Sequence, residues 1–187
     1  MAGDDWISPE EQQLLGGAAI RFVNDWLDGV LGSGDFDAAW KSMDEPLRLA
    51  TAQSWILLED DRREVDAADR DLLAQALASG DTNHPLWDEF AGWRIVRWRN
   101  ILGEVVDWYA EGMGVLSRVQ AVPPDLLVVS LTGSGGAPRW VPPGEAVPAW
   151  RVVVRMVHGE FRIASLGGRL PVPGWPPGET DAVPPLP

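Results

Sequence analysis

Residues 150–163 read WRVVVRMVHGEFRI, and this stretch decides the fold class. Its side chains alternate up to the His158-Gly159 pair, and a period of two is typical of a β-strand. The pair itself predicts a tight turn, followed by a returning strand over residues 161–166. The stretch therefore predicts an antiparallel hairpin. The side chains predicted on its two faces are Trp150, Val152, Val154 and Met156 on one, and Arg151, Val153, Arg155 and Val157 on the other.

Two further β-rich runs precede this hairpin, at residues 113–122 and 126–131. Pro123-Pro124-Asp125 separates them, and this sequence is typical of a turn. Residues 132–148 are rich in glycine and proline, which predicts irregular structure. The second half of the chain therefore predicts a meander of antiparallel strands.

The first half of the chain carries the start and stop signals of helices. Ser8, Asp35, Asp44 and Asp66 each precede an apolar run with helical spacing, and serine or aspartate at that position caps the first turn of a helix. Gly80 predicts the end of the last of these helices, because glycine readily adopts the left-handed conformation that follows many helices. The first half is therefore predicted to be helical.

The region that follows these helices is ambiguous. Residues 86–103 fit a helix in some parts and a strand in others, since Gly92 interrupts the pattern. Alternation resumes near residue 104 and predicts a strand on which Asp107 and Tyr109 share one face.

Helices followed by a meander of strands predict an α+β fold in which N-terminal helices pack on one face of an antiparallel sheet. A length of 187 residues suits a single domain, which we place at residues 1–168. Residues 171–187, PVPGWPPGETDAVPPLP, cannot form a central strand because proline lacks the N–H that a ladder needs. Residues 169–187 are therefore predicted to be an extended or disordered proline-rich tail.

The charge distribution limits the classes of partner. The chain has a net charge of −13; residues 1–112 hold 23 acidic and 9 basic side chains, and residues 113–187 hold 5 and 6. Such a field repels nucleic acid and anionic membranes. The chain has no cysteine, which excludes disulfides and thiolate sites. With no secretory signal or apolar membrane span in the sequence, we expect a soluble cytoplasmic protein.

Parts of the chain resemble the nuclear transport factor 2-like superfamily, in particular its SnoaL-like domains. The resemblance lies in residues 22–27, FVNDWL, in residues 34–40, GDFDAAW, and in the hairpin at residues 150–163, and it extends over about residues 8–168. It implies a cone-like α+β barrel, in which a strongly curved sheet wraps around helices, and often a homodimer formed through the sheet. Members include isomerases, cyclases, hydrolases and non-catalytic binding domains, so the resemblance assigns no catalytic residue.

Eleven tryptophans are an unusual number for this length. Large aromatic side chains suit either a deep core or a pocket for a flat apolar ligand. The sequence leaves both interpretations open. The candidate ligand-binding residues are Phe22, Trp26, Trp40, Trp55, Trp93 and Trp108.

The candidate catalytic residues are Asp107, Tyr109 and Arg99. If the strand face of Asp107 lined a cone, burial would raise its pKa and make it a general base, with Tyr109 as a hydrogen-bond donor and Arg99 as a positive charge. Alternatively, Asp107 is exposed or pairs with an arginine. His84 and His158 lie far apart without metal-ligand spacing, so we predict no metal and no cofactor.

Three hypotheses for function follow. The first is a non-catalytic binding protein with an aromatic-lined cone pocket for a hydrophobic small molecule or a protein partner. The second is a SnoaL-like enzyme that transfers a proton, with Asp107 as the base. The third is an acidic accessory protein that neutralises a basic partner. A homodimer through the sheet is possible in each case, and whether the protein is an enzyme stays open.

Overall fold

The computed structural model describes residues 9–33, 35–59, 67–103, 105, 114–122, 124–134 and 150–180. The first half of the described chain is helical and the second half consists of strands, so the α+β class predicted from the sequence is confirmed. Among the described helices, none combines the length and the apolar character needed to cross a membrane.

The described helices follow the order of the predicted start signals. Asp35 caps the second helix, since its Oδ1 accepts a hydrogen bond from the backbone N–H of Ala38 at 3.1 Å. Gly80 follows the fourth helix with φ +79°, a conformation that glycine adopts without strain. The helices are α1 Pro9–Leu27, continued by a π-helical segment Asp28–Ser33, α2 Phe36–Lys41, α3 Glu45–Glu59, α4 Ala67–Ser79 and α5 Trp87–Ile101.

Helix α5 resolves the ambiguity of residues 86–103. Gly92 lies inside the helix and interrupts neither its backbone nor its buried stripe. The side chains of this stripe recur at helical spacing and include Phe90, Arg94 and Trp98. Before the helix, the backbone N–H of Leu86 donates to Nδ1 of His84 at 3.2 Å. The role of His84 here is therefore local and structural.

The main sheet has four antiparallel strands in the order β1-β2-β3-β4. They are β1 Gly114–Val122, β2 Leu126–Ser134, β3 Trp150–Val157 and β4 Glu160–Ser165. The described strands leave the sheet open, so the closed, cone-like barrel implied by the resemblance is not formed by them.

The hairpin at residues 150–163 has the predicted geometry. His158 has φ +51° and Gly159 has φ +83°, and both values suit a tight turn that matches the twist of two strands. On one face, Val152 and Val154 join the main core with the helices. On the other face, Val153 belongs to a second apolar cluster. The predicted alternation of faces is therefore confirmed at these positions.

Part of the outer face of the sheet is buried within the single chain. Val128 and Val153 have no exposed surface, and they cluster with Leu126 and Ala164. A homodimer through the sheet stays a prediction, and these buried side chains are not available to it.

A short second sheet follows the main one. Its strands, β5 Leu170–Val172 and β6 Gly178–Thr180, pair antiparallel. The loop between them packs on the helices: the backbone N–H of Gly174 donates to Oε1 of Gln53 at 2.9 Å, and Nε1 of Trp175 donates to Oδ1 of Asp71 at 2.6 Å. The expected extended tail is thus, over residues 170–180, a hairpin attached to α3 and α4.

Candidate functional site

Three of the six predicted ligand-binding aromatic residues fill the core. Trp40 and Trp55 are almost completely buried, and Trp26 is 4% exposed. Trp40 stacks on Phe36 with ring centroids 5.5 Å apart, and Trp55 packs edge-on against Phe90 at 5.4 Å. These rings therefore contact one another rather than open space, and their area serves the packing of the helices.

Two other predicted ligand-binding residues lie nearer the surface. Phe22 is half-buried on α1, and its ring lies 5.8 Å from that of Phe161 on β4. Trp93 is half-buried on α5 and lines an open groove. The structure therefore does not bring Phe22, Trp93 and the core tryptophans together around one pocket.

The predicted catalytic group cannot be assembled from the described residues. Asp107 and Tyr109 lie outside the described part of the chain, and so does Trp108. Arg99 is exposed on α5. The enzyme hypothesis with Asp107 as the base therefore stays a prediction.

The groove beside Trp93 follows the outer side of α5. It is open and has a volume of about 630 Å³. Val96 exposes 59% of its surface there, which is a large fraction for an aliphatic side chain. We call this surface the α5 groove, and its lining residues are Gly92, Trp93, Val96, Arg97, Asn100 and Ile101.

Two arginines lie over the indole ring of Trp93. The guanidinium carbon of Arg97 lies 5.5 Å from the ring centroid, and that of Arg94 lies 5.9 Å from it. Arg94 also lies 5.0 Å from the ring centroid of Trp98. A guanidinium within about 6 Å of an aromatic face is attracted by the ring quadrupole. The result is a compact positive cluster in the acidic half of the chain.

Arg94 is buried although it carries a charge. Only 7% of its surface is exposed, and its Nε has no hydrogen-bond partner in the described part of the protein. Burial, with a smaller contribution from the positive charge of Arg97, lowers the pKa of Arg94 to about 9. A buried guanidinium is usually paired with a carboxylate. Within the described residues, Arg94 has two aromatic faces and no acid.

Trp98 lies one helical turn after Arg94 and shares this feature. It is fully buried, and its Nε1 has no hydrogen-bond partner among the described residues. Other buried tryptophans are satisfied: Nε1 of Trp26 donates to the carbonyl of Ala39, and Nε1 of Trp40 to that of Leu77, each at 3.1 Å. Two neighbouring donors on α5 therefore lack an acceptor within the part of the chain that the structure describes.

A second buried charged side chain, Asp44, has partners. Asp44 forms an ion pair with Arg155, and Nε of Arg155 lies 3.2 Å from Oδ2 of Asp125. Burial raises the pKa of Asp44, although Arg155 acts in the opposite direction. This cluster connects the residue directly before α3 to β3 and has a structural role.

Sequence reasoning did not single out Arg94. Its signal is the spacing of Phe90, Arg94 and Trp98, which places an arginine between aromatic residues on one helical stripe. The ambiguity between helix and strand hid this pattern, because it appears only when the segment is helical.

The described residues contain no group of three or more histidine, aspartate or glutamate side chains placed to hold a metal ion. Comparison of the chain with protein-family models, with curated proteins and with solved structures gave no match. The similarity to the nuclear transport factor 2-like superfamily therefore stays a prediction from the sequence.

Proposed function

We propose that the protein is a non-catalytic binding protein that contacts a protein partner through the α5 groove. The observation that carries this proposal is the Trp93 ring, which has the guanidinium groups of Arg94 and Arg97 over it and lines the same groove as the exposed Val96. Tryptophan and arginine are the residue types that contribute most to binding energy at protein interfaces. Their stacking also restricts the arginine side chains before binding, which lowers the entropy lost on association.

The shape of the groove favours a protein partner over a small molecule. A pocket for a small ligand usually encloses most of the ligand surface. The α5 groove is open, and the core tryptophans that could have formed a deeper site pack against phenylalanine rings. A helix or an extended segment of another protein suits such an open surface.

The chemistry of the groove favours binding over catalysis. Its side chains are aromatic, aliphatic, amide and guanidinium groups. None of them is a general base near neutral pH in the way that histidine or a carboxylate is. The proposal therefore assigns recognition, and no reaction, to this surface.

Photo-crosslinking in the cells that make the protein tests this proposal. A benzophenone amino acid replaces Val96 in one variant and Leu72 on α4 in the control variant. The two positions are matched, since Val96 is 59% and Leu72 is 66% exposed. We expect a discrete adduct from position 96 that is absent from position 72.

A second substitution shows whether the adduct depends on the surface itself. Adding Arg97→Glu to the position-96 variant should abolish the adduct, because it reverses the exposed charge of the groove. Equal adducts from positions 96 and 72, or none from position 96, would contradict the proposal.

A further inference from the structure

The outward side of α1 forms a second open groove, with a volume of about 480 Å³. Leu14 exposes 75% of its surface there, the largest exposed fraction among the large hydrophobic side chains that the structure describes. Four of the lining residues are spaced by four, three and four positions, so they follow one stripe of the helix. We call them the α1 stripe: Glu10, Leu14, Gly17 and Arg21.

Gly17 is a helix-interior glycine that packing among the described residues does not explain. A Cβ added at the neighbouring Gly16 would lie 3.5 Å from the side chain of Val119, so Gly16 faces the contact of α1 with β1. A Cβ added at Gly17 would meet only the end of the Arg21 side chain within 4 Å. Glycine is less favourable than alanine inside a helix. A neighbour that approaches the helix closely from outside the chain would account for Gly17.

We propose that the α1 stripe binds the same stripe of a second copy of the chain, with the two helices antiparallel. In this arrangement, Leu14 of each copy packs over Gly17 of the other, and Glu10 of each copy pairs with Arg21 of the other. The inference does not depend on the α5 groove. It places a contact between copies on α1, on the side of the helix that faces away from the sheet.

The order of the residues along the α1 stripe is self-complementary. In a dimer with two-fold symmetry, residue i contacts residue j, and j contacts i. The pair Leu14 and Gly17 and the pair Glu10 and Arg21 have the same midpoint, between residues 15 and 16. One two-fold axis through this midpoint therefore brings a large side chain opposite a glycine and an acid opposite a base.

The charged pair cannot form within one helix. Glu10 and Arg21 are eleven residues apart, so they are separated by about 16 Å along the axis of α1. Both are exposed, and the ion pairs among the described residues include neither of them. An antiparallel copy brings an opposite charge to each of them. A parallel copy would place like charges together, so the charges favour the antiparallel orientation.

The size of the α1 stripe predicts weak self-association. A stable interface usually buries about 800 Å² on each partner, and one helix face over residues 10–21 offers less than this. The net charge of −13 repels a second copy at a distance. At physiological ionic strength the Debye length is about 8 Å, so the charges within the contact outweigh the distant ones.

Sedimentation velocity of the full-length protein over a range of concentrations tests the inference. We expect the average mass to rise from that of one copy towards that of two. Leu14→Glu should weaken self-association about tenfold or more, because a charge replaces the apolar side chain at the centre of the contact. Leu72→Glu on α4 is the matched control, since Leu72 is 66% exposed, and it should leave self-association unchanged.

Two charge-reversal variants test which residues meet. Glu10→Lys and Arg21→Glu should each associate with themselves less than the wild type does, because each places like charges together at both ends of the stripe. An equimolar mixture of the two variants should associate again, since every charged contact of the mixed pair joins opposite charges. Circular dichroism checks that each variant is folded.

Gly17→Gln separates a binding role of this glycine from a structural one. Glutamine favours helices more than glycine does, so the substitution should raise the melting temperature of the dilute, single-copy protein. The same side chain occupies the space that Leu14 of the second copy needs, so self-association should fall about tenfold. A lower melting temperature would mean that the glycine is required within its own chain.

A wild-type protein that stays a single copy at every concentration would overturn the inference. So would equal effects of Leu14→Glu and Leu72→Glu, or a mixture of the two charge variants that does not associate. If a benzophenone amino acid at position 14 crosslinks a different protein in cells while the purified chain stays single, another partner occupies the stripe and the inference fails. The crosslink from position 96 decides the proposed function independently of these results.

Discussion

Two parts of the same aromatic core differ in whether their buried N–H groups form hydrogen bonds. Around α2, the indole groups of Trp40 and Trp87 donate to the carbonyl of Leu77 and to Oδ1 of Asp37. On α5, the indole of Trp98 and the Nε of Arg94 have no acceptor within the described residues. Both parts are buried to a similar degree, so burial alone does not explain the difference. The first part has the satisfied hydrogen bonds of a structural core, whereas the second has buried donors without an acceptor among the described residues.

The largest expected effect concerns the part of the core around α2, in which the indole N–H groups form hydrogen bonds. Trp40→Ala removes a fully buried ring and its hydrogen bond to Leu77, and it should lower the free energy of unfolding by about 3–5 kcal/mol. Urea denaturation measures this change. Trp93→Ala is the control, because Trp93 is only half-buried in the α5 groove, and it should have a clearly smaller effect. Similar losses for the two variants would contradict the proposed division of roles.

The next prediction concerns Arg94, the buried charge on α5. Arg94→Met should raise the free energy of unfolding by about 1–4 kcal/mol, because an apolar side chain of similar length replaces a buried cation that has no acid among the described residues. Arg97→Met at the exposed neighbour should change it by about 0.5 kcal/mol or less. Thermal and urea denaturation measure both. A loss of stability in Arg94→Met would show that Arg94 has a structural partner.

The difference in stability between the wild type and Arg94→Met should depend on pH. The folded state lowers the pKa of Arg94 to about 9, so it releases this proton at a lower pH than the unfolded state does. The wild-type protein should therefore gain stability relative to Arg94→Met as the pH rises above about 9. A constant difference between the two proteins above that pH would contradict the assigned burial of the charge.

A matched pair of tryptophan variants measures how much one indole hydrogen bond contributes to stability. Trp26→Phe removes an indole that donates to the carbonyl of Ala39, and Trp98→Phe removes one that has no acceptor among the described residues. Both substitutions remove a similar ring area. Because Trp26→Phe also removes the hydrogen bond to Ala39, it should be less stable than Trp98→Phe by about 1–3 kcal/mol. Equal stability, measured by urea denaturation, would indicate that the Trp98 indole also has an acceptor.

The smallest expected effect tests a buried charge that has partners. Burial raises the pKa of Asp44 above 3.8 although Arg155 pairs with it, so the folded state holds this proton more tightly than the unfolded state does. The stability of the wild type relative to Asp44→Asn should therefore fall as the pH rises from below 3.8 through the raised pKa. Acid titration of both proteins by circular dichroism measures the trend, and an opposite slope would mean that the ion pair outweighs burial.

Much of the fold was predictable because its signals are local. The alternation at residues 150–157 and the turn at His158-Gly159 predicted the β3-β4 hairpin without information from the rest of the chain. Asp35 and Gly80 marked helix ends by their own hydrogen-bonding and backbone preferences. Residues 86–103 were not predictable, because their aromatic and basic residues fit a helix or a strand almost equally well.

The candidate site was predictable only in part, since Trp93 was identified as a ligand-binding candidate and Arg94 was not. By itself, the sequence determined the order and type of α1 to α4 and of β1 to β4, because periodicity, caps and turns act over a few residues. The tertiary structure alone decided which tryptophans are satisfied and that Arg94 is buried without an acid among the described residues. The physical reason is that the burial and pairing of a polar group depend on side chains distant in sequence, which only the packing of α5 against the core brings together.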